Sequence, residues 1–238
     1  MTEEVGSATV LLVGALLVRL YAGGAYARYV RVGMGPWLLV AGILLALLGL
    51  AGVVRALLRP QRTSTVDGDG EGDGHDHHDH GERVGWLLLA PVIALLMVAP
   101  PALGSFGVDR STVVAVSSGG RTFAPLPAGA TVPMTLLEFD QRAADHDGSS
   151  FGTAQVRLTG FVADTGDASG FRLARYQIAC CAADAVAAIA RVTGVTGDPP
   201  ARDSWVVATG TYRHSSGAVP ELVVSSLTSI PPPVDPYE

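Results

Sequence analysis

The chain has 238 residues and a formal net charge of −6, and 48% of it is hydrophobic. Every basic residue is arginine and none cluster into a basic surface, which excludes a nucleic-acid footprint. Its two cysteines are too few for the disulfide framework of a small secreted domain.

The apolar residues concentrate in the first hundred positions, which reads as a membrane anchor. Met1-Thr-Glu-Glu4 carries acids where a secretory signal carries arginine or lysine, and no small-residue cleavage site follows, so the segment is expected to be retained. The first span is placed at about 8–24, with Arg19 near its end extending to the headgroups. The second is placed at 36–54, with Pro36 in its first turn and Trp37 at the interface. Together, over residues 1–62, they are expected to form a helical hairpin. Arg55, Arg59 and Arg62 close it.

Residues 63–83 change character abruptly. The acidic excess of the chain lies largely between Asp67 and Glu82, where glycine alternates with charge and no apolar face exists to bury, so a disordered linker is expected. His75, His77, His78 and His80, interleaved with aspartates, offer nitrogen and oxygen donors to zinc or nickel. Ordering such a tract costs entropy, so its binding is expected to be weak and multi-site, and a solvated linker without ligand is the alternative. A third span is placed at 84–106, kinked at Pro91 and ended by Pro100-Pro101. A buried helix of a soluble domain competes with it. Arginines around the linker slightly outnumber those around the first connection, which favours a cytoplasmic N-terminus and an extracytoplasmic C-terminal domain.

The remainder is polar, with a connecting segment at 107–135 that includes a first short strand at Ser111–Val116. Thr135-Leu-Leu-Glu138 fits a capping box and predicts a helix to about Ala144. Period-two alternation predicts strands at Gln155–Ala163, Phe171–Ala179, Trp205–Thr211 and Glu221–Leu227 within a β domain at 136–230, followed by a Pro-rich tail at 231–238. The strand-borne glycines Gly160 and Gly210 suit bends or bulges, and a five-stranded OB-like barrel is the simplest closed solution.

Within that domain Cys180 and Cys181 stand side by side, three residues before Asp184. Neighbours on a strand face opposite sides, so one metal ion is shared only if the backbone bends. Three readings remain open: a buried thiol acting as a small hydrophobe, a strained reducible disulfide, or thiolate ligation of a soft metal aided by Asp184 or a histidine. His146 and His214 are read as exposed, and Arg172 and Arg175 as strand-surface charges. No spacing of Ser, His and acid residues marks a catalytic centre, and adjacent thiols lack the Cys-x-x-Cys spacing of a redox enzyme.

Arg175-Tyr-Gln-Ile-Ala-Cys-Cys-Ala-Ala-Asp-Ala185, preceded by Gly160-Phe-Val and followed by Trp205-Val-Val-Ala-Thr-Gly-Thr211 and Pro231-Pro-Pro-Val-Asp-Pro-Tyr237, resembles the YcgQ-like family of putative permease subunits. The motif residues are Gly160, Arg175, Cys180, Cys181, Asp184, Trp205 and Gly210. The resemblance implies a membrane part, a His-rich linker and a β domain, working beside a multi-span permease of the YraQ-like type. It also implies a strand at Val186–Val192, where alanine content by itself favours a helix. The expectation is a non-enzymatic, three-span plasma-membrane subunit with no nucleic-acid partner, whose OB-like domain docks on or regulates a permease. The alternative is a zinc sensor or chaperone in which the histidine tract collects the ion and the Cys180-Cys181 region, with Asp184, receives it.

Overall fold

The computed structural model describes residues 2–58, 93–94, 101–108, 122–167, 170–215, 217 and 219–238. The His-rich linker, residues 84–92 and 95–100 of the expected third span and the expected strand at 111–116 lie outside the described residues, and residues 101–106, expected to end that span, fold instead with the β domain. The chain divides into two compact units, one of Met1–Tyr26 and Gly33–Pro100, the other of Ala27–Val32 and Pro101–Glu238.

In the first unit, helix α1 runs over Thr2–Ala22 and α2 over Gly35–Leu58. The α2 region, Val32–Leu58, is long and apolar enough to cross a membrane, and the apolar part of α1, Gly6–Ala22, is shorter. Helix α2 outruns its expected span at both ends, whereas α1 begins before its expected span and ends at Ala22, two residues short of it. The helices pack through glycine. Gly35, Gly42 and Gly49 of α2 are buried at seven-residue spacing. A Cβ on Gly49 would collide with the backbone of Leu11, and one on Gly14 with the backbone of Ala46. Such backbone-on-backbone approach is how small residues join helices in lipid, where no hydrophobic force draws them together. Leu44, Leu47, Leu48 and Leu57 stay exposed.

The second unit is built on a sheet of six strands: β1 (Thr131–Pro133), β2 (Gln155–Asp167), β3 (Gly170–Gln177), β4 (Val186–Thr193), β5 (Trp205–Arg213) and β6 (Glu221–Ile230). The pairing order is β1-β2-β3-β4-β6-β5, and β5 also pairs with β2, so the last five strands close on themselves. Within that ring all pairs are antiparallel except β4–β6, and β1 joins β2 in parallel. Residues 186–193 form a strand despite their alanine content, because pairing on both sides outweighs a propensity of tenths of a kcal/mol per residue. At the Thr209/Gly210 bulge a Cβ on Gly210 would overlap the carbonyl oxygen of Val223, and one on Gly160 would come within 2.6 Å of the Ala174 carbonyl.

A short helix α3 (Ser105–Val108) precedes the sheet, and α4 (Leu136–Ala144) lies between β1 and β2. The α4 cap forms by half. Thr135 accepts from the Glu138 amide at 3.0 Å, but the Glu138 carboxylate takes Arg142 Nε at 2.8 Å. From α4, Leu136 and Phe139 enter one core with Val156, Leu158, Leu173, Val206 and Leu222. Phe161, Tyr176, Ile178, Trp205 and Tyr237 make a second core. The alternation of β2 therefore ends at Phe161, beyond which both faces are covered.

Candidate functional site

Strand β3 ends at Gln177, before the cysteines. Ile178 remains buried, and its amide donates to the Glu238 carbonyl at 3.3 Å. The backbone then bends around one carboxylate. Asp184 Oδ1 accepts from the Ala179 amide at 2.8 Å, and Oδ2 from the amides of Cys180 and Cys181 at 2.9 and 3.2 Å. Cys180 Sγ also donates to Oδ2, at 2.8 Å, and lies 3.7 Å from Cys181 Sγ. The bend thus brings together two thiols that an unbroken strand would hold on opposite faces. The Sγ atoms and an Asp184 oxygen all lie within 4.8 Å of one another.

Electrostatics follows from these bonds. The Cys180 thiol bond and the backbone amides hold the Asp184 carboxyl down at about 2. The same carboxylate, followed by Cys181, pushes the Cys180 thiol up to about 11, so the proton is shared toward sulfur. Both cysteines are free; Cys180 is exposed and Cys181 half-buried. The buried-hydrophobe reading is therefore corrected: the bend turns both sulfurs out of the core.

The outer edge of the loop is a pairing surface. Val30 forms an antiparallel bridge with Cys181, Arg31 donates its amide to the Cys180 carbonyl at 3.1 Å, and Ala182 donates to the Tyr29 carbonyl at 2.7 Å. Residues 27–32, which connect the two apolar helices, thereby fold with the β domain.

Beneath the loop, the Pro-rich tail is built into the domain. Tyr237 bridges Tyr176 in parallel register, is almost fully buried, and donates its hydroxyl to the Arg28 carbonyl at 2.6 Å. Arg175 is a clamp on this tail, which corrects its reading as a surface charge. Its guanidinium donates to the carbonyls of Asp235 and Tyr237 at 2.9 and 3.1 Å and stacks over Trp205. Glu238, 3.7 Å from Arg175, accepts from the Leu136 and Leu137 amides at the start of α4. Burial raises its carboxyl above the ordinary value against these partners. The motif residues therefore divide: Cys180, Cys181 and Asp184 shape the loop, Arg175 and Trp205 seat the tail, and Gly160 and Gly210 permit close strand approach.

A second feature was not signalled by sequence. A cavity of about 590 Å³ is lined by Arg191, Thr193, Arg213 and Glu221 among others. Arg213 pairs with Glu221, which also accepts from Thr193 Oγ1 at 2.6 Å, and these contacts, the Arg213 bond first, lower the Glu221 carboxyl. The acids and bases come from three strands whose register only folding sets. His146 is exposed and pairs with Asp145, and His214 is exposed. His75, His77, His78 and His80 lie outside the described residues.

Residues 142–238, which carry strands β2 to β6, the cysteine loop and the tail, match the family model described as the DUF1980 C-terminal domain. No curated protein and no solved structure matches the chain.

Proposed function

We propose that the protein is a non-enzymatic integral membrane subunit that crosses the bilayer three times and uses its β domain as a docking or regulatory module on a multi-span permease of the YraQ-like type. The closed ring β2-β3-β4-β6-β5 is read as an OB-like barrel, with one parallel pair closing five strands. The observation that carries the reading is the pairing of Val30 with Cys181. If α1 and α2 cross the bilayer, their connection at 27–32 shares one side with the β domain it pairs with. The end of α2 at Leu58 then lies on the opposite side, and the chain crosses back before Pro101. The apolar run 84–100 has the composition for that crossing. The arginine balance supports an extracytoplasmic β domain. The permease partner rests on the family resemblance, and the layout of apolar helices with one small β domain agrees with an accessory role.

The test is purification of the full-length protein from its native membrane in mild detergent after cross-linking. A multi-span protein recovered in stoichiometric amount, and lost when residues 101–238 are removed, is the expected result. Recovery of the chain with no multi-span partner overturns the reading.

A further inference from the structure

We propose that Cys180, Cys181 and Asp184 form a site for one thiophilic divalent cation of the zinc and cadmium class, held by both thiolates with the carboxylate beside them. The inference stands on the geometry of the loop and is independent of a permease partner. Two sulfurs bound to one tetrahedral zinc at about 2.3 Å lie about 3.8 Å apart. Cys180 Sγ and Cys181 Sγ are 3.7 Å apart, so the pair already spans the edge of such a polyhedron. Adjacent residues reach that spacing only because Asp184 gathers the amides of Ala179, Cys180 and Cys181. The bend is also braced on its outer edge by the amide and carbonyl of residues 29–31, which limits the reorganisation that ordering a site otherwise costs.

The ion takes the place of a proton. Cys180 Sγ now donates its proton to Asp184 Oδ2, 2.8 Å away. A bound ion leaves sulfur and carboxylate oxygen about 3.5 Å apart on its coordination edge, so the carboxylate withdraws slightly as the proton departs. Binding one M²⁺ converts two thiols to thiolates and releases two protons, with no redox change. Three protein donors leave a tetrahedral position open toward solvent, since Cys180 is exposed. Such an open position suits an exchangeable ion, whereas structural sites are closed by four protein ligands. Soft sulfur donors select zinc or cadmium over magnesium or calcium.

The experiment titrates cadmium into reduced full-length protein in detergent and follows the ultraviolet sulfur-to-cadmium charge-transfer band. Histidines and carboxylates of the linker do not produce that band, and the chain holds two cysteines in all. The expected result is a band saturating at one ion per chain, competed by zinc and unaffected by magnesium. Cys180→Ser and Cys181→Ser each lower affinity by roughly 10-fold or more, and Asp184→Asn, which weakens both a donor to the ion and the acceptor that gathers the loop amides, lowers it by about 10- to 100-fold. Circular dichroism of the single serine variants checks that the fold is kept. A band that saturates at one ion per two chains, a band unaltered in Cys181→Ser, or no band in protein with both thiols titratable overturns the proposal.

Discussion

Helices α1 and α2 meet where side chains are absent, at Gly14, Gly42 and Gly49, so backbone rests on backbone. The end of the β domain that carries the cysteines is held in the opposite way, by Asp184, Arg175 and Glu238 reaching backbone amides and carbonyls. Between glycine-lined helices the backbones approach closely enough for direct van der Waals contact to join them. At a loop or strand end in water, the unpaired backbone groups must be satisfied, and a charged side chain meets several at once. The first region fails by overlap and the second by loss of partners.

The largest effect is expected where a buried charge would be stranded. Arg175→Ala removes the donors to Asp235 and Tyr237 and leaves Glu238 buried without its cation. We expect a loss of about 3 kcal/mol, read as a lower denaturation midpoint with residues 231–238 opened to proteolysis. Unchanged stability with a protected tail would show that the strand pairing alone seats it.

Overlap in the hairpin comes next. Gly49→Leu places a side chain into the backbone of Leu11 and separates the helices, at a cost of about 2 kcal/mol. Thermal unfolding in detergent of this variant and of Leu48→Ala, which trims an exposed side chain, separates seam from exposed face: only the seam variant is expected to lower the midpoint. Equal behaviour of the two variants would remove the glycine seam as the basis of helix pairing.

The smallest effect concerns a half-buried acid that neither device satisfies. Burial pushes the Asp140 carboxyl up to about 6. Because the folded value exceeds the unfolded one, ionisation destabilises the fold; the penalty is absent below about pH 4, grows between pH 4 and 6, and is complete above. Asp140→Asn is therefore expected to stabilise the protein above pH 6 by about 1 kcal/mol, solvent screening at this partly exposed site keeping the gain small. Denaturant midpoints at pH 4 and 7 check the sign, and an equal change at both would attribute it to something other than charge.

Much of this was legible beforehand. Uninterrupted apolar runs specify the α2 region by length alone, and alternation placed β2, β3, β5 and β6. Thr135 was readable as a cap because its partner is three residues away. Strand β4 was legible through the family resemblance but not through propensity, since the pairing that overrides alanine comes from β3 and β6, and β6 begins 28 residues after β4 ends. Arg175 was misread because a strand arginine and a clamp look identical until the tail, 60 residues on, is in place.

By itself, the sequence determined which residues form long apolar helices and which form strands, since those choices depend on local composition and periodicity. It also set Cys180, Cys181 and Asp184 within reach of one another along the chain. Only the tertiary structure decided that the two sulfurs face the same way. A period-two strand would have parted them, and it is the Asp184 carboxylate below and residues 29–31 alongside that turn the backbone before it can. The reason is one of range: periodicity acts between neighbours, whereas a bend braced by a connection some 150 residues away forms only once the chain has folded back on itself.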